Sequence, residues 1–426
     1  MTVERHGRFF NAVLGGSRRM PPGLVRDATA AQAAPTAAAD MDAETGDPMV
    51  FDVFKADLGV GLPEGMALLT VVPVRQEDGM PGFRLRGVCC CDGVKELGEI
   101  YGRPDLELGS LVSTKGELPA DVLSTMQTWS RPKAQLIRWL DRRRAAHGDE
   151  FQLVIWDDTG YRIPWELFWL DSGPASGRPD GWLGGLLTVT RWLSIRAAWQ
   201  DVVRDYRSLY TCTGSVAAYV DAQMEHDQSL LASYQVEHSG SMYELTKALT
   251  AGTGALALVY VACHAEFGDQ VTECALGQLP LVHVDPMRFA RLMPSAAVVF
   301  LNACHSGSLG YDTKRFNDRV LRGFSEVFLR SGAAGVLATN GSVGDSLAFE
   351  MARDLLQHLR DNPGQPVAEA VRELRAQAAR LTPADLAAVS GAEANKELLP
   401  LLYRFMYVYY GSPRTVITLE TGRVVR

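Results

Sequence analysis

The sequence predicts an α/β fold: a mostly parallel sheet flanked by helices, preceded by a smaller α/β region and a flexible N-terminal tail. Three observations carry this. Residues 255–262 and 296–301 are short, almost unbroken apolar runs, the pattern of strands buried on both faces of a parallel sheet. From Tyr210 onward, strand-like and helix-like segments alternate, as repeated βα units require. Hydrophobic residues make up 47% and charged residues 22% of the 426, which is enough apolar material for a large core.

Taken in order, residues 1–48 are poor folding material. Residues 29–43 are mostly Ala with Thr, Pro and Asp and have no apolar face, so they read as a tether. Arg5–Leu14 reads first as a disordered terminus and second as a short docking helix. Met49–Phe54, Met66–Val74 and Gly82–Cys91 are strand-like and bounded by Gly and Pro. Pro119–Ala146 reads as helical, with Leu136, Ile137, Trp139 and Leu140 on its buried side. Phe151–Trp156 and Leu186–Trp192 are strands, which closes an N-terminal region over 49–205.

In the region 206–426, strands are expected at Gly214–Val220, Tyr234–His238, Ala255–Ala262, Ala296–Leu301, Gly335–Thr339, Tyr403–Tyr410 and Thr415–Leu419. Helices are expected at Asp227–Ser233, Ser241–Thr250, Asp285–Leu292, Phe316–Ser331, Ser346–Arg360 and Val367–Arg380. Gly252 supplies a stop for the second of these. Gly307–Phe316 and Leu381–Lys396 read as long loops.

Charge and cysteine usage exclude several classes. The net charge is −8, and only seven of the 42 basic residues are Lys. A general nucleic-acid binder needs clustered basic residues to neutralise phosphates, so no direct nucleic-acid role is expected. No apolar run approaches the roughly 20 residues of a membrane span. Val13-Leu14 runs straight into Gly15-Gly16-Ser17-Arg18-Arg19, so no signal-peptide core is present. A cytoplasmic location without membrane association follows as an expectation. The seven Cys are odd in number and include adjacent Cys89, Cys90 and Cys91, unlike a secreted disulfide framework.

In open α/β sheets, functional residues gather beyond the carboxyl ends of the strands. The run Leu256–Ala262 ends in Cys263-His264-Ala265-Glu266, and the run Ala297–Leu301 ends in Asn302-Ala303-Cys304-His305-Ser306-Gly307. If these strands are parallel neighbours, His264 and Cys304 emerge side by side, as a thiol–imidazole dyad requires. Small Ala265, Ser306 and Gly307 would let a substrate backbone approach, with backbone N–H groups holding an oxyanion. From spacing alone, catalysis and inert packing stand about even.

A zinc site from Cys263, His264, Cys274, His283, Cys304 and His305 has no close CxxC or HxxxH pair behind it. Cys89–Cys91 lie on a strand, where adjacent side chains point to opposite faces, and read as packing rather than a ligand set. No metal and no cofactor are expected. The eight Trp all fall between 129 and 199 and read as core between two subdomains.

The C-terminal half resembles a CHAT domain, the caspase-like cysteine protease fold of clan CD, related to separase, metacaspase and caspase. The resemblance covers roughly 150–420 and rests on blocks in order. These are Leu153–Trp156 with Arg162-Ile163-Pro164-Trp165-Glu166-Leu167, then Val261-Ala262-Cys263-His264, then Leu301–Gly307. Gly323–Ala333 and Phe405–Gly411 follow.

The resemblance implies Cys304 as nucleophile, His264 as general base and later acid, and the N–H groups of Cys304 and Ala265 as oxyanion donors. Ala265 stands where the family usually has Gly, and Ala338–Asp345 lacks the family's Trp while keeping its Asp as Asp345. Clan CD enzymes hold the residue before the scissile bond in a deep pocket, and an acidic lining would select Arg or Lys. Candidates are Glu266, Asp269, Asp312 and Asp345. Asn302 stands where metacaspases carry Asp.

The resemblance further implies a regulated bacterial effector in defence or programmed cell death, cleaving one or a few proteins such as a gasdermin-like pore former. A separate activating or sensor protein would engage residues 49–200. Two competitors remain: a catalytically silent CHAT scaffold that binds partners, and a Cys-dependent acyltransferase or other thiol hydrolase.

Overall fold

Strands in the middle of the sheet are buried on both faces, and strands at its rims are largely exposed. A computed structural model describes residues 53–54, 61–75, 79–106, 119–173, 177–196, 203–268, 270–311, 321–380 and 392–422. The chain divides into Met1–Val50 and Phe51–Arg426, and the described residues all lie in the second unit. The expected tail, the Arg5–Leu14 segment and most of Met49–Phe54 fall outside them.

The 12-stranded sheet comprises β1 (Met66–Arg75), β2 (Pro81–Cys89), β3 (Asp92–Glu96), β4 (Gln152–Asp157), β5 (Thr188–Trp192) and β6 (Tyr210–Val220). It continues with β7 (Val236–Ser239), β8 (Leu256–Ala262), β9 (Val298–Asn302), β10 (Gly335–Thr339), β11 (Tyr407–Gly411) and β12 (Thr415–Leu419). Their order is β7-β6-β8-β9-β10-β11-β5-β4-β1-β2-β3, with β12 also pairing β6. Only β10–β11, β1–β2 and β2–β3 are antiparallel, so the sheet is mostly parallel as expected. The N- and C-terminal halves of the unit share this sheet, with Tyr410 of β11 opposite Arg191 of β5.

Every residue of β8, β9, β10 and β11 is buried, whereas edge strand β3 is largely exposed. The helices are α1 (Pro119–Ser130), α2 (Ala134–His147), α3 (His226–Leu231), α4 (Met242–Ala251), α5 (Phe324–Arg330), α6 (Asp345–Asp361), α7 (Val367–Ala378) and α8 (Ala392–Met406). Leu258, Tyr260 and Ala262 of β8 join a core with α6, α7 and α8, while Val259 and Val261 join another with α4 and α5. This is the period-2 alternation of a strand covered on both faces. A third core sets Leu153, Ile155 and Val189 against Leu136, Trp139 and Leu140 of α2. Trp139, Trp156, Trp165, Trp169, Trp182 and Trp192 are buried, in keeping with the core reading; Trp199 lies outside the described residues.

Several elements depart from expectation. The helix expected over Pro119–Ala146 divides at Arg131-Pro132, because Pro132 has no N–H to continue the ladder. Asp285–Leu292 forms no continuous helix. Its backbone donors go elsewhere: Phe289 N–H donates to Ser331 Oγ (3.3 Å) and Arg291 N–H to Leu249 C=O (3.0 Å), and burying Phe289 overrides the local propensity. The helix expected from Phe316 begins only at Phe324, after Leu321–Arg322 pairs with Gly310–Tyr311. Residues 392–406 are helical, so the last part of the expected loop is ordered as helix and the following strand starts at Tyr407 rather than Tyr403. Among the described residues no helix is long and apolar enough to cross a membrane.

The scarcity of Lys has a structural counterpart in buried Arg pairs. Glu166 and Arg191 are both fully buried, and Arg191 Nε donates to Glu166 Oε1 at 3.0 Å, with Nη2 on Oε2. A guanidinium matches a carboxylate bidentately, which an ammonium cannot.

Candidate active site

Ala262 stands opposite Asn302 in the parallel β8–β9 pair, and each strand continues two residues to His264 and Cys304. Thiol and imidazole therefore leave one edge of the sheet on neighbouring strands. They are not hydrogen-bonded to each other here. The exposed His264 ring places Nε2 2.9 Å from Gln223 Oε1. An amide oxygen only accepts, so Nε2 carries the proton and Nδ1 is left as the basic nitrogen. Cys304 Sγ is half-buried, accepts from Val343 N–H (3.3 Å) and donates to Val343 C=O (3.5 Å). Burial pushes its thiol above the ordinary value; the Val343 N–H opposes this and the Asp345 charge adds to it.

The two expected oxyanion donors belong to the segments that follow these strands. Gly277 N–H donates to His264 C=O (2.9 Å), and Ala265 faces Leu276 in the small antiparallel hairpin that follows. Positions 264 and 277 are thus hydrogen-bonded partners, which leaves Ala265 at the intervening position with its N–H off that ladder. Cys304 opens a turn in which His305 takes the left-handed conformation (φ 54°).

That turn is tied to the end of β10. Gly307 N–H donates to Thr339 C=O (2.8 Å), Thr339 N–H to Ser306 Oγ (3.2 Å), and Thr339 Oγ1 to Ala303 C=O (2.6 Å). A Cβ on Gly307 would sit 3.0 Å from Asn340 Oδ1 and Val408 Cγ2. Ser306 and Gly307 are buried, so their small size serves this packing and not the approach of a substrate, as their sequence position had suggested.

Beside the pair lies a cleft of about 410 Å³ whose lining includes Gln223, Asp227, Asn302, Asp345, Glu350 and Arg353. Asn302 is fixed at its floor: its amide donates to Asp227 Oδ1 (3.2 Å), Tyr260 OH (3.2 Å) and Ala348 C=O (3.3 Å), and accepts from Tyr407 OH (2.6 Å). Tyr260 OH also donates to Asp227. Burial raises the Asp227 carboxyl; Tyr260 and Asn302 oppose this by hydrogen bonding, and Asp345 adds to the rise. Of the acidic candidates, Asp345 lines the cleft, whereas Glu266 is exposed on the hairpin and outside the lining. Asp269 and Asp312 lie outside the described residues. Asp227 and Gln223 were not singled out from sequence.

On the other side of Cys304, His305 Nε2 meets Ser342 Oγ (3.0 Å) and its ring stacks on Phe267, with centroids 6.3 Å apart. Arg162, from the N-terminal half, lies 4.5 Å over the opposite aromatic partner, Phe267. Burial first, and Arg162 second, hold the His305 imidazole below its ordinary value.

The stretch bearing this geometry matches a known family. Residues 215–398 match the family model of the CHAT domain. The matched stretch holds His264, Asn302, Cys304 and Asp345. Two crystal structures of the Saccharomyces cerevisiae separase–securin complex are similar at 15% identity, with TM-scores of 0.40 and 0.38. They cover 67% and 66% of this chain but 18% and 17% of theirs, so this chain spans less than a fifth of their length. Among curated proteins, crotonobetaine/carnitine–CoA ligases of Salmonella enteritidis PT4 (strain P125109) and Salmonella typhi are 26% identical over 145 residues. Those matches take in 32% of this chain and 27% of the ligases, about a quarter of their length.

Proposed function

We propose that this protein is a cysteine endopeptidase acting through Cys304 and His264. The observation that carries the reading is the β8–β9 register, which brings a thiol and an imidazole to one sheet edge beside an acidic cleft. In the reaction, Cys304 Sγ attacks the scissile carbonyl carbon and its proton passes to His264 Nδ1. The tetrahedral oxyanion is held by the N–H groups of Cys304 and Ala265. The imidazolium then protonates the leaving amine, and water, deprotonated by His264, releases the acyl group. Gln223 orients the ring by accepting from Nε2.

The cleft accepts the side chain before the scissile bond. Its carboxylates Asp227 and Asp345 favour Arg or Lys, with Asn302 adding neutral hydrogen bonds. The raised Cys304 thiol, bonded to Val343 instead of His264, fits a resting enzyme. We therefore extend the reading to a regulated effector, switched on by a separate protein and cutting one or a few protein substrates.

The test is cleavage of a positional-scanning peptide library by the full chain and by Cys304→Ala, each with and without extract from the source cells. Cleavage by the wild type alone, after basic residues, supports the reading. Cleavage that survives Cys304→Ala overturns it, and binding without any Cys304-dependent cleavage assigns the chain to a scaffold.

A further inference from the structure

Three sulfurs and one imidazole meet at the far edge of the sheet, away from the dyad in sequence and untouched by the proposed chemistry. Cys89 ends β2, Cys90 and Cys91 form the turn, and Asp92 opens β3 opposite Cys89. The strand alternation that argued against a shared ligand set therefore does not apply to Cys90 and Cys91, because they are in the turn. A register shift between Gly87 and Cys89 re-aims the end of β2 as well.

His147, the last residue of α2, points Nε2 into the cluster. It lies 3.3 Å from Cys89 Sγ, 3.6 Å from Cys90 Sγ and 3.5 Å from Cys91 Sγ. Cys89 Sγ is 3.8 Å from Cys90 Sγ and 3.4 Å from Cys91 Sγ. All four ligand atoms lie within 4.8 Å of one another.

These spacings match one geometry. A tetrahedral zinc ion, with Zn–S about 2.3 Å and Zn–N about 2.0–2.1 Å, spaces its sulfurs about 3.8 Å apart and its nitrogen about 3.6 Å from each sulfur. A disulfide would need two sulfurs and no histidine, and it would leave the near-equal distances from Nε2 to all three sulfurs without a cause. We propose that Cys89, Cys90, Cys91 and His147 bind a thiophilic divalent cation, zinc foremost, as a closed structural site.

Binding converts three thiols to thiolates, releases three protons to solvent and leaves His147 neutral. The filled site then carries one net negative charge. Arg143 offsets it: its Nη1 donates to Cys91 Sγ at 2.8 Å. The His147 ring is steadied by stacking on Phe151, with centroids 6.1 Å apart. The ion would tie the exposed edge hairpin β2–β3 to the end of α2, across a separation of 56 to 58 residues. An edge strand as exposed as β3 gains most from such an anchor.

The test is metal analysis of the purified full chain, with native thiol alkylation and the absorption spectrum after cobalt(II) exchange. One zinc per chain is expected, together with protected Cys89–Cys91, a tetrahedral thiolate cobalt spectrum and a lower Tm after chelation. Cys91→Ser and His147→Gln, both at the surface end of the cluster, should lose the metal, and Cys304→Ala should keep it. Arg143→Leu should weaken zinc affinity about tenfold to a hundredfold. The proposal is overturned if the wild type takes up no zinc or cobalt with its thiols reduced, if a bond between two of the three cysteines accounts for their protection, or if the ligand variants bind metal as the wild type does.

Discussion

Ala262 and Asn302 face each other across the parallel β8–β9 pair, and this single register decides where the reactive groups stand. A slip by one residue would turn one of His264 and Cys304 to the opposite face. The buried network beneath, in which Asn302 joins Asp227, Tyr260 and Tyr407, holds the same register from below.

Burial pushes the Cys304 thiol up, so its thiolate forms only at alkaline pH in the resting chain. Iodoacetamide labelling of Cys304, followed by peptide mass mapping, should rise with pH and reach its midpoint above the free-cysteine value of about 8.5. A midpoint below neutrality would mean a preformed thiolate–imidazolium pair.

Gln223 should act as a positioning residue. Replacing it by Ala frees the His264 ring at a surface position, and kcat should fall by at least about tenfold with KM little changed. A variant that keeps the wild-type kcat would remove Gln223 from the mechanism.

Asp227→Asn should lower kcat/KM on substrates with Arg or Lys before the scissile bond by about tenfold to a hundredfold. Substrates with citrulline there should respond far less. The Asp227 carboxyl is raised, so it protonates earlier than an ordinary carboxyl as pH falls. The preference for basic residues should therefore fade on acidification. Equal losses on charged and neutral substrates would contradict a charge-based pocket.

Burial alone would raise the Glu166 carboxyl, but Arg191 holds it below its ordinary value, and Arg375 adds to this. Glu166→Gln should destabilise the fold by about 3–5 kcal/mol, since it leaves buried guanidinium charge uncompensated. Replacing Glu166, Arg191 and Arg375 together with apolar residues should cost much less, because no buried guanidinium is then left without its carboxylate. Denaturant titration of the two variants separates these outcomes.

Much of the fold was legible because its signals are local. Leu256–Ala262 and Gly335–Thr339 are apolar without a break, and Ser241 caps α4 by accepting from Glu244 N–H (3.2 Å). The placement of His264 and Cys304 at one sheet edge was legible for the same reason, since each stands two residues past the end of a buried strand. Asp227 was not, because only the packing of α3 against β8 and β9 brings its carboxylate to Tyr260 and Asn302. His147 meets Cys89 across 58 residues, and nothing in the spacing announces a turn at Cys90-Cys91. Asp285–Leu292 has a helical pattern, but its donors serve Ser331 and Leu249 instead.

The most direct test of the central claim is a comparison of peptide cleavage by the wild type, Cys304→Ala, His264→Ala and the double variant, under the condition that activates the wild type. The account predicts that each single variant abolishes cleavage after basic residues and that the double variant is no worse, because the two groups act as one unit. Cleavage by Cys304→Ala at the wild-type rate would contradict it.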